Sequence, residues 1–282
     1  MKHFHTLLSV LSLSLAFMAC DSISEDERFV PVEKKYVDTT STDTTTVPHV
    51  VLVEDYTGQM CTNCPTAARM LANVRARVGE ENVVVVGIYS GPFGHNQAGR
   101  NLPLTTDVGN DYYNSWDFNN LQPIGLVDRT GVLEYTSWPV RIEERLQLRT
   151  PVSIDVQEST YDAATDELRM RAAVKTLDGS AINAKQMVWI VEDSIVSTQY
   201  DLDEDKNPIT VRDYVHNHVF RTVLSNQWGD DVALSGQEQT FTYTCKLQST
   251  GWNAEHLAAV VFIYDSNGVR QTVKERIINK QP

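Results

Sequence analysis

A strand–Cys-x-x-Cys–helix–strand run limits this chain's fold more than any other feature. An apolar run, Val50-Val51-Leu52-Val53, leads into Glu54-Asp55-Tyr56-Thr57-Gly58-Gln59-Met60-Cys61-Thr62-Asn63-Cys64-Pro65. Ala67, Leu71, Val74 and Val78 then recur at helical spacing, and Gly79 stands where a C-terminal cap belongs. Val83-Val84-Val85-Val86-Gly87-Ile88 follows as a buried strand. This order is a βαβ unit with two cysteines at the mouth of its helix. Unpaired N–H groups and the helix dipole favour a thiolate there, which lowers the first thiol's pKa. The second cysteine, one turn on, is placed to attack a mixed disulfide formed on the first.

These residues resemble the active-site segment of thioredoxin-like proteins. The resemblance implies that Asp55, six residues before Cys61, is a buried acid serving the second cysteine. Gln122-Pro123-Ile124-Gly125-Leu126-Val127-Asp128 resembles the later strand, whose leading proline is cis and faces the sulfurs. Met60 stands where thioredoxins usually carry Trp, and the inner dipeptide is Thr62-Asn63 in place of Gly-Pro. Under the resemblance Cys61 is the nucleophile, Cys64 the resolving thiol, Asp55 the proton acceptor and Pro123 a substrate-positioning residue. An exchange of roles between Asp55 and its neighbour Glu54 stays open.

The N-terminus carries an address. Lys2 precedes an apolar stretch from Leu7 to Met18, the length of a signal-peptide core and too short for a membrane span. It ends Ala19-Cys20, which resembles a bacterial lipobox and implies lipid attachment, palmitate included, at Cys20; the plain alternative is secretory cleavage near Ala19. Residues 1–19 are read as signal peptide and 20–48 as a lipidated, flexible linker, because a Thr- and Asp-rich tract cannot bury enough surface to offset chain entropy. The acidic run Asp21 to Glu27 resembles a surface-export signal, and Asp38-Thr39-Thr40 and Asp43-Thr44-Thr45 resemble O-glycosylation acceptors. With 24 basic against 37 acidic residues the formal charge is −13, which argues against a nucleic-acid partner.

Residues 49–149 are expected to form the α/β thioredoxin-like domain. It continues with an aromatic helix (Tyr112, Tyr113, Trp116), a hairpin turn at Arg129-Thr130-Gly131, and a closing helix from Ser137-Trp138-Pro139 to Leu148 with Ser137 as N-cap. Residues 150–282 change texture to strands without helices: 152–156, 167–176, 186–196, 216–224, 240–247, 257–264 and 269–278, with Asn267-Gly268 as a hairpin turn. Seven short strands predict an all-β immunoglobulin-like sandwich. Cys245 alternates with Phe241, Tyr243 and Leu247 and is expected to face the core.

Three readings of Cys61 and Cys64 compete: a redox pair, an inert disulfide, and half of a zinc site, which lacks a second Cys-x-x-Cys. Outside the cytoplasm either of the first two rests as a disulfide. His216 and His218 would share one face of a strand, with no third ligand apparent. Asp201 to Asn207 mimics a calcium loop, but Lys206 and Arg212 occupy the positions that need Gly and Glu. Neither a metal nor a cofactor is expected. The lipobox, the acidic tether, the Cys-x-x-Cys segment, Gln122 to Arg129 and Val215-His216-Asn217-His218-Val219-Phe220-Arg221 together resemble the outer membrane protein 28 family of lipoproteins. The resemblance implies an outer-membrane lipoprotein, held by its lipid anchor, with a thioredoxin-like domain and a β-sandwich, and it implies no settled activity. The acidic run adds the expectation of surface display, and the Cys-x-x-Cys segment that of thiol–disulfide exchange with a protein partner the sequence does not name. The alternative is a non-enzymatic surface-binding or adhesion module whose disulfide is structural.

Overall fold

The computed structural model describes residues 44–94, 103–247 and 250–280. The expected signal peptide, Cys20, the acidic run and most of the linker lie outside these residues. Within the first half the strands are β1 (Val47–Pro48), β2 (Val51–Thr57), β3 (Val83–Tyr89), β4 (Ile124–Val127), β5 (Val132–Glu134) and β6 (Arg149–Thr150). The helices are α1 (Cys64–Val78), the single turn α2 (Gly91–Gly94), α3 (Asp107–Asn114) and α4 (Trp138–Leu146). The second half is β7 (Val152–Asp162), β8 (Glu167–Thr176), β9 (Ala181–Glu192), β10 (Ile195–Leu202), β11 (Pro208–His216), β12 (Val219–Val223), β13 (Asp230–Ser235), β14 (Gln239–Cys245), β15 (Leu257–Asp265), β16 (Gly268–Arg276) and β17 (Ile278–Lys280). The chain is therefore mostly β-sheet with few helices.

The apolar run before the cysteines forms β2, and α1 returns the chain to β3, parallel to β2 and in register from Val51–Val83 to Thr57–Tyr89. Period-two alternation divides the two strands between two cores. Val51, Val53, Val83 and Val85 meet Ala67, Leu71, Val74 and Val78 of α1 and Trp138, Ile142 and Leu146 of α4. Leu52, Tyr56, Val84, Val86 and Ile88 face the opposite way, onto Tyr112 and Tyr113 of α3. Gly79 ends α1 at φ 98°, its N–H bonded to the Arg75 carbonyl, as expected of a C-cap glycine. Thr106 caps α3 by accepting from the Gly109 N–H at 2.9 Å. Ser137 does not cap α4: it closes a 3₁₀ turn, Tyr135–Ser137, and its side chain makes no capping bond.

The two halves share one sheet, in the order β16-β15-β9-β12-β3-β2-β4-β5 with β13 added beside β9. The link between halves is thin. β12 meets β3 at the single pair Val219–Gly87, supported by Gly87 N–H donating to His218 O at 2.8 Å. The sheet curls there, so Met187, Trp189, Val191, Val260 and Phe262 join the core built on Leu52, Tyr56 and Val86. Trp189 sits at its centre, with ring centroids 5.3 Å from Phe220 and 4.8 Å from Phe262. The curl returns β16 to the start of β2: Gln271 accepts from Val50 N–H at 2.9 Å and donates to Pro48 O at 3.0 Å. The opposite faces of β9 and β15 (Val188, Ile190, Ala259, Val261) pack on Leu168, Met170 and Ala172 of β8, in a second sheet ordered β14-β8-β7-β17.

Several expected segments differ. The end of the linker is not free chain, since β1 pairs antiparallel with β6 across the boundary at 149/150. The stretch 186–196 breaks after Glu192, where Ser194 takes φ 61°, and 216–224 breaks at His218, φ 58°. These breaks release a hairpin, β10–β11, that leaves the shared sheet. Cys245 is a free, half-buried thiol against the second-sheet core, and burial raises its pKa.

Candidate functional site

Cys61 and Cys64 are joined in a disulfide, with Cα atoms 5.4 Å apart. Helix α1 begins at Cys64, so Cys61 lies in the turn ahead of it, its N–H bonded to Gly58 O at 3.1 Å. Gly58 is required by close approach: a Cβ there would stand 2.2 Å from the Phe93 carbonyl oxygen of α2. The Met60 N–H bonds that same carbonyl at 3.0 Å. The Gln122–Pro123 peptide is cis, and Pro123 is buried. Gln122 fixes this segment beside the end of β2, its Nε2 donating to Thr57 O and Ser90 O, each at 2.8 Å.

The disulfide is covered. Cys61 and Cys64 are 4% and 2% exposed. The cover is the β10–β11 hairpin, most of which falls in 197–215, between the expected strands 186–196 and 216–224, where the sequence suggests only an acidic loop. Gln199 Nε2 donates to Gly58 O and to Cys61 O, both at 3.0 Å. Gln59 reciprocates, with Nε2 donating to Ser197 Oγ and Thr198 O at 3.0 Å, while Tyr200 N–H donates to Gln59 O at 2.8 Å. Arg69 of α1 binds Asp201 at 2.9 Å. The paired glutamines Gln59 and Gln199 are the signal that sequence reasoning passed over. The supposed calcium loop is this hairpin's turn, where Asp203 accepts from Asn207 N–H at 2.8 Å.

Beneath the hairpin lies a cavity of about 230 Å³ whose lining includes Asp55, Cys64, Tyr89, Gln199, Tyr214 and His216. Parity on β2 puts Asp55 on the α1 face and Glu54 on the other, which separates their roles. Glu54 is fully buried against Arg129, Oε1 to Nε 2.6 Å, and the guanidinium lies 4.4 Å from the Tyr264 ring centroid and 5.0 Å from that of Phe262. Among the described residues Asp55 has no such partner. Burial pushes its pKa up to about 7, and its Oδ1 makes no hydrogen bond.

The two histidines do not share a strand face. His216 ends β11, its Nδ1 2.6 Å from the Tyr89 hydroxyl, and burial lowers its pKa to about 4. His218 lies beyond the break, with Nδ1 2.7 Å from Asp193 and Nε2 receiving Arg75 at 2.8 Å. Burial, first of all, lowers its pKa. The turn between them removes the shared face that a two-histidine metal site would need. Among the described residues no group of three or more His, Cys, Asp and Glu is placed to hold a metal ion, and no helix is long and apolar enough to cross a membrane.

The sequence pattern of the family described as "Outer membrane protein Omp28" matches residues 109–281, more than half of the chain. This protein belongs to the Omp28 family. Membership places it at the outer membrane, in keeping with the lipid-anchored address expected from its leader. The match begins after the Cys-x-x-Cys segment, so the family assignment rests on the chain from α3 onward. Among solved structures, HBP35 of Porphyromonas gingivalis has the same fold over 82% of this chain and 76% of its own, with TM-score 0.60 and 14% identity. A domain of the outer membrane lipoprotein Omp28, also from Porphyromonas gingivalis, aligns over 47% of this chain and 92% of its own at 20% identity, with TM-score 0.33. No curated protein matches.

Proposed function

We propose that this Omp28-family chain is a lipoprotein acylated at Cys20, displayed on the cell surface, and acting as a non-enzymatic binding module whose Cys61–Cys64 disulfide is a structural staple. The observation that carries this reading is the cover over the sulfurs: a hairpin clamped by Gln59 and Gln199 leaves Cys61 only 4% exposed. A nucleophilic thiol must reach a substrate disulfide, and burial of this kind opposes that. Parallel β2 and β3, the antiparallel β4–β5 pair and the two flanking helices support a thioredoxin-like arrangement for residues 49–149. The packed sheets of residues 150–282 support an immunoglobulin-like sandwich. In this reading the first serves as scaffold, and the second, sharing its sheet, offers the binding surface.

A second reading is favoured by one observation. Asp55, with its raised pKa, shares a cavity with Cys64. A carboxylate that titrates near neutrality suits a proton acceptor for a resolving thiol. In that case reduced Cys61 would attack a substrate disulfide, and Cys64 would displace the reduced substrate and leave Cys61–Cys64 oxidised, with Pro123 positioning the substrate. Glutathione titration and turnover of a disulfide substrate, with Cys61→Ser as control, separate the two. The staple requires a potential below about −300 mV and no turnover; catalytic turnover lost in Cys61→Ser would overturn it. Protease shaving of intact cells tests display, and full protection would exclude it.

A further inference from the structure

A second pocket, of about 210 Å³, lies where β1 and β6, the C-terminal end of α4 and the β15–β16 turn meet; His49, Arg145, Arg149, Asn267 and Arg270 help to line it. It collects three guanidinium groups on a chain of formal charge −13, and no carboxylate residue is among its lining. Each arginine is anchored through part of its guanidinium. Arg145 donates from Nε to Asp128 at 2.7 Å and from Nη2 to Val269 O at 3.2 Å. Arg149 donates from Nε and Nη2 to Thr46, at 2.9 and 2.8 Å. Arg270 donates from Nη1 to Asp265 at 3.2 Å. The register of β15 on β16 slips at Arg270, a bulge of the kind that re-aims a side chain.

Among the described residues, these bonds leave Nη1 of Arg145, Nη1 of Arg149, and Nε and Nη2 of Arg270 without a protein acceptor. One free fork, on Arg270, and single free Nη1 groups on Arg145 and Arg149 approach from separate elements; together they suit an acceptor with oxygens in several directions, whereas a planar carboxylate is satisfied by the fork alone. At about 30 Å³ for each water displaced, the pocket has room for a phosphoryl group and part of its substituent. We infer that this pocket is a binding site for a phosphate monoester, either a lipid headgroup or a soluble phosphate ester. The site is separate from the disulfide and holds whichever reading of Cys61–Cys64 is correct.

The test uses the full chain purified in neutral detergent, titrated calorimetrically with inorganic phosphate, glycerol 3-phosphate, acetate, and mixed micelles containing phosphatidic acid. Phosphate should bind saturably, more tightly than acetate, and should raise the melting temperature relative to chloride at equal ionic strength. The double variant Arg149→Gln/Arg270→Gln should bind about tenfold more weakly or worse. Arg145 is left in place because it also holds buried Asp128. Arg149→Lys, which keeps the charge and loses the planar guanidinium, should fall between. Preferential binding of the micelles assigns a lipid headgroup; binding of the two soluble phosphates alone assigns a soluble ester. The site is refuted by no saturable binding of any phosphate, by acetate binding as tightly, or by a folded double variant with unchanged affinity. Should the double variant not fold, the absence of phosphate-specific stabilisation in the wild-type protein refutes it equally.

Discussion

Replacing Asp55 by Asn should change how stability depends on pH, with a sign that the structure dictates. The carboxyl titrates at 3.8 when unfolded and at about 7 when folded, because burial penalises its charged form. A raised carboxyl pKa means that the folded state holds the proton more tightly. Its contribution is fully present below 3.8 and is lost as pH rises through about 7. Roughly three pH units at about 1.4 kcal/mol each amount to about 4 kcal/mol, the most that wild type forfeits by about pH 8. Asn keeps the shape and carries no charge, so Asp55→Asn should match wild type within about 1 kcal/mol near pH 4 and exceed it by up to about 4 kcal/mol near pH 8. His216 acts oppositely. Burial lowers its pKa from 6.5 to about 4, so its contribution is present above 6.5 and lost as pH falls through about 4. In wild type the two slopes largely cancel between these values. In Asp55→Asn the opposing carboxyl slope is gone, and His216 alone should contribute a rise of about 3 kcal/mol from about pH 4 to 6.5, with His218, also lowered by burial, adding in the same direction. Urea unfolding of both proteins with the disulfide intact, across about pH 4 to 8, measures this. Parallel profiles would mean that Asp55 is solvated or paired, and the reasoning would fail.

Gln199→Ala removes the donor to two carbonyls of the cysteine loop; at about 1–3 kcal/mol for a buried acceptor left unpaired, hairpin opening should become about 5- to 150-fold more frequent. The rate at which dithiothreitol reduces Cys61–Cys64 should rise in proportion, and an unchanged rate would show that the hairpin does not control access. Arg129→Met leaves Glu54 charged and buried and should cost about 3–5 kcal/mol in urea melts, with much of that recovered in Glu54→Gln/Arg129→Met. Gly58→Ala places a methyl 2.2 Å from the Phe93 carbonyl and should lower the midpoint of urea unfolding by the equivalent of at least about 1–3 kcal/mol; a midpoint equal to wild type would show that α2 yields freely.

The continuous apolar runs Val50–Val53 and Val83–Val86, the Ala67–Val78 spacing and the Gly79 cap made β2, α1 and β3 readable, because burial and helix periodicity are local in sequence. The cysteine pair and the neighbouring carboxylates were visible for the same reason. The adjacent residues Glu54 and Asp55 were not distinguishable until β2 had a helix on one face and an aromatic core on the other. The β10–β11 hairpin was hidden because its breaks at Ser194 and His218 come at non-glycine residues with positive φ, which no composition signal announces. His216 and His218 thereby lost the shared face that an unbroken strand would have implied.

What the chain determined by itself is the set of local elements and the chemistry they carry: apolar strands either side of a helix that opens at Cys64. Whether the sulfurs are reachable was decided only in three dimensions. It depends on Gln199, separated from Cys61 in sequence by every element from α1 to β9, returning to bond the loop that the cysteines close. Contacts of that range come from how the shared sheet curls, and the curl follows from side chains packing on both of its faces, not from any one stretch of sequence.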